Sequence, residues 1–310
     1  MIGAIDWAAI SPVALLAATL RYGTPIAYVA LGESVSQRSG VINIGIEGVM
    51  LSSCCMAASV SLITGSVWLG FLGGIVGGML VMALIALLVL VFQSDQIVTG
   101  VGVNLVALGL TTIAVKAKPT LNDAPSLRVW RIGGLKDLPV VGKLLFQQRS
   151  SVYLLLPVVL LCVFLMNRTS WGLRVKAVGE TPAAADAAGI VVNRIRFHAM
   201  LVCGALAGLG GAALAIGNNS GFTENMVSGQ GFIALVAVIF GRWKPLPVVI
   251  GSAFFALFTA FTLFASPWGI NVPSQLLNSV PYVASLLALV LLRKGANPPA
   301  ALAEPFERKR

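Results

Sequence analysis

Six long apolar runs constrain the fold of this 310-residue chain more than any other feature. Most of them approach or exceed the roughly 18–20 apolar residues that cross the hydrocarbon core of a membrane. Backbone groups in lipid must be hydrogen-bonded within the chain, so long runs without strict alternation predict helices rather than a barrel. The runs occupy residues 67–92, 98–115, 152–166, 199–217, 246–265 and 276–292.

Composition supports an all-α membrane protein. Hydrophobic residues make up 57% of the chain and charged residues only 10%, against roughly 25% charged residues in soluble domains. We predict a polytopic inner-membrane helical bundle with about 8–10 transmembrane helices, residues 1–310 forming one domain. Glycines repeat every fourth residue at 70–78 and 204–208, which indicates close helix packing. The predicted spans are 11–31, 41–64, 67–92, 96–116, 151–167, 197–217, 228–241, 246–266 and 274–292, of which the seventh is too short for a straight crossing.

Lysine and arginine predict which loops face the cytoplasm, because short cytoplasmic loops carry an excess of them. Loop 167–196 and tail 293–310 each hold five basic and two acidic residues, and we predict both to be cytoplasmic. Residues 116–150 oppose this scheme with seven basic and two acidic residues. A single span separates the two loops, so both cannot lie inside. We place loop 117–150 outside as an ordered lid, because the other loop suits docking.

Loop 167–196 contains a predicted short helix with small side chains. Thr181 suits the N-cap, Pro182 the first helical position and Gly189 the exit. Five alanines and Asp186 between these residues predict about two turns that another protein could approach closely. The candidate docking residues are Arg174, Lys176, Gly179, Glu180, Thr181, Ala184, Asp186, Ala188 and Gly189.

Several types of site find no support in the sequence. The phosphate-binding pattern G-x-x-x-x-G-K-[ST] is missing, since Gly142 and Lys143 are followed by leucine and lack the upstream glycine. The four cysteines and the single histidine lack metal-ligand or disulfide spacing. The sequence also shows no basic face with interspersed aromatic residues, which is the pattern typical of nucleic-acid binding.

Four segments in order carry a family resemblance: SGVINIGIEGVM (39–50), VTGVGVNLVALGL (98–110), GLRVKAVGETPAAADAAGI (172–190) and GQGFIALVAVIFGRWKP (229–245). Together they resemble the permeases of ABC importers, in the nucleoside and simple-sugar branch related to ribose and branched-chain amino acid permeases. The resemblance spans most of residues 20–292.

The resemblance implies a transporter subunit that is not itself an enzyme. It implies two cytoplasmic ATPase subunits that bind the ATP, a related or identical second permease, a substrate-binding protein and surrounding membrane lipid, with no cofactor on this chain. Nucleosides or nucleobases are the first expected solutes and simple sugars the second. A stand-alone secondary transporter is the alternative, but it would need ion-coupling carboxylates and inverted repeats.

Polar residues within apolar spans are candidates for the solute path, because such residues usually face the bundle interior. Asn43 and Glu47 are predicted one helical turn apart on one face, and Asn104 lies deep in its span. Hydrogen bonding between helices is the other interpretation of these side chains. The remaining candidates are Gln96, Glu224, Asn225 and Gln230.

Overall fold

A computed structural model describes residues 12–131, 134, 141–265, 268, 273–291 and 297–306. Among these residues, seven helices are long and apolar enough to cross a membrane. The helices are α1 Pro12–Arg38, α2 Ile46–Thr64, α3 Val67–Ala86, α4 Gln96–Ala117, α5 Val141–Leu145, α6 Ser150–Arg168, α7 Ser170–Glu180, α8 Pro182–Ala187, α9 Val192–Ala212, α10 Gln230–Phe240, α11 Pro245–Ala265 and α12 Ser274–Leu291. π-Helical turns extend α3 through Leu87–Val91 and α9 through Ala213–Asn218.

The all-α prediction is confirmed, and each of the nine predicted spans corresponds to one helix. The strands of the described residues are β1 Val129–Arg131 and β2 Gln147–Arg149, which form one short antiparallel pair. Helix α10 has 11 residues, so it is about 16 Å long, roughly half the hydrocarbon thickness. This agrees with the expectation that the seventh segment cannot cross the membrane as a straight helix.

Helix α9 lies at the centre of the bundle and packs closely on α3. A Cβ at Gly78 would overlap the Gly204 carbonyl, and one at Gly208 would lie 2.5 Å from the Gly74 oxygen. Only glycine permits this approach of the two backbones, as the repeated glycines indicate. Buried side chains from α1, α2, α9, α10 and α11 form the main core around this contact.

The lid and the predicted docking loop lie at opposite ends of the bundle. At the lid end, the Leu127 amide donates to the Ile216 carbonyl at 2.8 Å. At the other end, the Ala301 amide donates to the Gly179 carbonyl at 2.9 Å, and Arg196 Nε donates to the Ser39 carbonyl at 3.1 Å. We call this second end, formed by residues 38–40, α7, α8 and residues 297–306, the α8 end.

Some predicted features lie outside the described residues. They are the N-terminus at 1–11, the lid residues 132–133 and 135–140, and the charged tail residues 293–296 and 307–310. The assignment of the α8 end to the cytoplasm stays a prediction.

Candidate functional site

A buried, non-helical segment joins α1 to α2; we call residues 39–45 the cradled turn. Non-helical backbone at membrane depth is tolerated where protein groups satisfy its hydrogen bonds. Glu33 Oε1 accepts from the Asn43 amide at 3.0 Å, and Gln96 Oε1 accepts from the Ile42 amide at 2.9 Å. The Ser36 hydroxyl donates to the Val41 carbonyl at 3.0 Å. Side chains from α1 and α4 therefore hold this turn in place.

Asn104 continues this support farther along α4. Its Oδ1 accepts from the Gly48 amide at 2.7 Å, and its Nδ2 donates to the Ile44 carbonyl at 3.0 Å. Asn104 lies eight residues beyond Gln96, which is about 12 Å along the helix. Both ends of the amide are thus occupied by backbone at the start of α2.

Glu47 joins α2 to the N-terminus of α10. Its Oε1 accepts from the Gly229 amide at 2.5 Å and its Oε2 from the Gly231 amide at 2.7 Å. A carboxylate is favourable here because the first amides of a helix lack partners and the helix dipole is positive at this end. A Cβ at Gly231 would lie 2.7 Å from Glu47 Oε2, so this close contact requires glycine.

The prediction that Asn43 and Glu47 share one helix face is wrong. Helix α2 begins at Ile46, so Asn43 belongs to the cradled turn instead. Its side chain is 1% exposed, and its Nδ2 lies 3.5 Å from Met82 Sδ. The backbone leaves the helical conformation because Glu33 and Gln96 satisfy its amides from outside.

Glu33 of α1 is fully buried. It contacts the cradled turn and α9 directly, and through Gln37 it is linked to the connection between α10 and α11. Besides the cradled turn, it accepts from Gln37 Nε2 at 3.0 Å and from Cys203 Sγ of α9 at 3.4 Å. Gln37 in turn accepts from Trp243 Nε1 at 2.6 Å, in the connection between α10 and α11.

A cleft of about 260 Å³ opens between α2, α4 and α10. Three of the seven path candidates border it, namely Glu47, Asn104 and Asn225, together with Ser228 and Phe232. Asn225 and Ser228 are exposed and have positive φ angles of 50° and 45°. Glu47 and Asn104 are already engaged with backbone groups. The Asn225 amide and the Ser228 hydroxyl, beside the Phe232 ring, suit a small polar solute.

The other four path candidates lie elsewhere. Asn43 and Gln96 belong to the cradled turn and its support. Glu224 is exposed and accepts from the Thr112 hydroxyl at 3.0 Å, while the Gln230 amide donates to the Val227 carbonyl at the start of α10.

Sequence reasoning missed two aromatic residues at the cleft. Phe232 borders it directly, and the Tyr282 hydroxyl of α12 donates to the Ser228 carbonyl beside it. Both lie in apolar segments, where the sequence predicts aromatic residues that simply form part of a membrane span. For Phe232 the usable signal is its place in GQGF, three residues after Gly229; Tyr282 has no such local signal.

Helix α8 forms where the short docking helix is predicted. It has six residues, about 9 Å, which is somewhat shorter than expected. Pro182 occupies its first turn, and Gly189 ends it with φ of +82° while its amide donates to the Asp186 carbonyl at 2.9 Å. The expected Thr181 side-chain cap is wrong, because only its carbonyl engages the helix, accepting from the Ala185 amide at 3.0 Å.

Most of the predicted docking residues are exposed, two are half-buried and one is buried. The exposed group consists of Arg174, Glu180, Thr181, Ala184, Ala188 and Gly189, with Asp186 half-buried. Gly179 is buried, since a Cβ there would overlap the Arg38 carbonyl. Lys176 Nζ donates to Asn167 Oδ1 at 3.0 Å, and Glu180 Oε2 accepts from the Ala300 amide at 3.3 Å. The Gly179 position therefore belongs to the fold rather than to a docking surface.

Comparison with known proteins identifies the family. Residues 15–292 match the family described as "Branched-chain amino acid transport system / permease component". The chain belongs to this family of ABC transporter permeases. It is accordingly a multi-pass membrane subunit of an ABC transporter, which works with ATPase subunits.

Three relatives of this permease are named for the solute they carry. NupQ of Bacillus subtilis (strain 168), a guanosine ABC transporter permease protein, is 34% identical over 94% of this chain and 96% of its own. NupC of Lactococcus lactis subsp. cremoris (strain MG1363), a nucleoside ABC transporter permease protein, is 33% identical over 93% and 94%. TsgC13 of Haloferax volcanii, named as a candidate glucose permease, is 35% identical over 80% and 77%.

Two further findings concern pairing and fold. Each of these three organisms has a second permease relative named for the same solute, 24% or 25% identical to this chain. The permease also shares its fold with a solved ABC transporter in an inward-facing conformation. The TM-score is 0.53 at 16% identity, over 95% of this chain and 90% of that one.

Proposed function

We propose that this permease imports nucleosides or nucleobases along a path that includes the cleft. The observation that carries the proposal is the set of groups around it: the Phe232 ring beside the Asn225 amide and Ser228 hydroxyl. A flat base stacks on an aromatic face, and amide or hydroxyl groups match the ring heteroatoms and ribose hydroxyls. The guanosine and nucleoside relatives support this choice of solute.

A simple sugar is the second candidate. The relative named for glucose is as similar to this chain as the two nucleoside relatives, which supports it. Sugars offer hydroxyls but no flat base, so the two candidates differ in how strongly they need the Phe232 ring.

We propose that the α8 end is cytoplasmic, in the inner membrane, and that ATP is bound and hydrolysed on separate subunits. The missing phosphate-binding pattern supports the second point. We propose two such ATPase subunits in the assembly. Helix α8 and its neighbours would dock on an ATPase subunit, because their small exposed side chains permit close approach. Among the described docking candidates, Arg174, Thr181, Ala184, Ala188 and Gly189 are the ones we assign to this contact, with Asp186 at its edge.

The second permease in the assembly is, by our proposal, a diverged chain rather than another copy. Each of three organisms has two relatives named for the same solute, one 33–35% identical to this chain and the other 24–25% identical. That pattern suits two specialised halves that face each other across one path. A purified assembly holding two copies of this chain and no other permease would contradict the pairing.

Uptake by the complete transporter tests the solute. Cells without other nucleoside uptake would express the permeases, ATPase and substrate-binding protein, and would receive labelled guanosine or glucose. We expect ATP-dependent guanosine uptake that excess glucose leaves unchanged. Phe232→Ala should reduce the guanosine uptake rate roughly tenfold, because stacking contributes about 1–3 kcal/mol per base.

The matched control is Phe164→Ala, which removes an exposed phenyl ring from α6 at a distance from the cleft. It should transport guanosine at the wild-type rate at equal membrane abundance. Glucose uptake without guanosine uptake would reject the nucleoside proposal in favour of the sugar. Equal uptake by Phe232→Ala and wild type would remove the cleft from the path.

A further inference from the structure

A basic cavity of about 420 Å³ lies at the α8 end, away from both α8 and the cleft. Four elements border it: the end of α1, the end of α6, α7, and the connection that leads into α11. Its charged lining consists of Arg38, Lys176 and Lys244, one from each of three different elements. No carboxylate belongs to the described lining, so these charges face the cavity without an acidic partner in it.

The contacts of these cations leave binding capacity in the cavity. Arg38 Nε donates to the Trp243 carbonyl at 3.2 Å, and this is the only hydrogen bond of its side chain among the described residues. The Lys176 amine is partly buried, and this burial together with the nearby Arg38 charge lowers its pKa from the ordinary value. Two like charges held together in a partly dry cavity are stabilised by an anion between them.

Helix α11 adds to the attraction for an anion. It begins at Pro245, which lines the cavity directly after Lys244. The positive end of the helix dipole favours negative charge. This contribution comes from the dipole alone, because Pro245 and Pro247 have no amide N–H and the Val248 amide donates to the Lys244 carbonyl. Among the described residues, the carboxylate whose charge acts on Arg38 is Glu180 of α7, and it accepts from the Ala300 amide.

The outer rim of the cavity is apolar. Leu246 of α11 lines the cavity and is 55% exposed, and the lining residues Val163 and Met166 of α6 and Pro247 of α11 are also apolar. Helices α6 and α11 are long and apolar enough to cross a membrane, so exposed apolar surface on them faces lipid tails. The cavity lies where α6 ends and α11 begins, and the ends of membrane-spanning helices fall at the level of the lipid head groups.

We infer that this cavity binds the phosphate head group of an anionic phospholipid, with the acyl chains along α6 and α11. Basic pockets between transmembrane helices at the cytoplasmic side suit such head groups. The bound lipid would join α1, α7 and the start of α11, next to the cradled turn and to the element that leads into α8. The inference goes beyond the proposed function and does not depend on which solute is carried.

Native mass spectrometry of the complete purified transporter tests the inference. The protein would be titrated with phosphatidylglycerol or phosphatidylcholine of the same acyl chains. We expect preferential retention of phosphatidylglycerol. Lys244→Gln and Lys176→Gln should each weaken it about fivefold, because one cation near a membrane surface contributes about 1 kcal/mol.

Arg194→Gln is the matched control, since Arg194 is an exposed cation at the start of α9 that does not line the cavity. It should retain phosphatidylglycerol like wild type. Lys244 is exposed, so its substitution tests the cavity even if Lys176→Gln assembles poorly.

Four outcomes would overturn the inference. The first is equal retention of the two lipids by wild type, and the second is equal losses in Arg194→Gln and Lys244→Gln. The third is complete displacement of phosphatidylglycerol by millimolar inorganic phosphate, which would make this a site for free anions. The fourth is loss of ATPase subunits from Lys244→Gln with unchanged lipid retention, which would assign the surface to the ATPase.

Discussion

The cradled turn and helix α8 both interrupt the long spans, but they use their polar groups in opposite ways. The turn lies inside the bundle, where Glu33, Gln96 and Asn104 satisfy its backbone amides and carbonyls. Helix α8 lies at the bundle's end and leaves small side chains such as Ala184 exposed. An unsatisfied polar group is costly in lipid and cheap in water. Inside the bundle, polar side chains therefore stabilise the backbone of the cradled turn, while the surface available to partner proteins lies at the end of the bundle.

Glu33→Leu should produce the largest loss of stability, because it removes the acceptor on which the cradled turn depends. The Asn43 amide, the Gln37 amide and the Cys203 thiol would lose their partner inside the bundle. At about 1–3 kcal/mol for each orphaned amide, the free energy of unfolding should fall by about 3 kcal/mol or more. Thermal melting in detergent measures this loss.

The matched control for that variant is Glu224→Leu, since Glu224 is exposed and has one described hydrogen bond, to Thr112. Its melting temperature should stay near wild type. If Glu33→Leu also melts like wild type, buried carboxylate support is not what holds the turn.

Asn104→Leu should have an intermediate effect. The Gly48 amide and the Ile44 carbonyl would lose their partner, but the site borders the cleft and water can reach it. We expect a loss of about 2 kcal/mol and faster hydrogen exchange at residues 44–48. Thr112→Val, about 12 Å farther along α4, should leave this exchange unchanged. Unchanged exchange in Asn104→Leu would mean that the amide borders the cleft without supporting the turn.

Ala184→Arg should have the smallest effect on stability and a large effect on assembly. The side chain is exposed, so the free energy of unfolding should change by less than about 0.5 kcal/mol. A long charged side chain on α8 should nevertheless block close approach and reduce co-purification of the ATPase subunits. Fully coupled uptake at wild-type ATPase content would reject α8 as the docking element.

Ala185→Arg provides the contrast within the same helix. Ala185 is 4% exposed and packs with Val175 and Val192, so arginine there should destabilise the α8 end itself. Gly179→Trp is unsuitable as a docking test for the same reason, because any side chain at Gly179 meets the Arg38 carbonyl.

Span positions could be predicted from the sequence because their causes are local. The predicted span 96–116 matches α4, whose N-cap Asp95 accepts from the Ile97 and Val98 amides at 2.9 Å. The predicted break at the seventh span matches the short α10. The predicted shared face of Asn43 and Glu47 failed, because local patterns cannot show that distant acceptors satisfy the backbone amides at 42 and 43. The predicted Thr181 side-chain cap failed as well, since only the Thr181 carbonyl engages α8.

The membrane location of this chain, its helical form and the approximate ends of most helices can all be predicted from the order of its residues. Apolar length and backbone hydrogen bonding within each segment suffice for that conclusion. The hydrogen-bond partners of the buried polar side chains follow from the tertiary packing. Glu47 meets an amide 182 residues away in the chain, and Glu33 meets Cys203 170 residues away. Such pairs arise because helix packing brings a buried acceptor to a buried donor, and no local pattern records which two will meet.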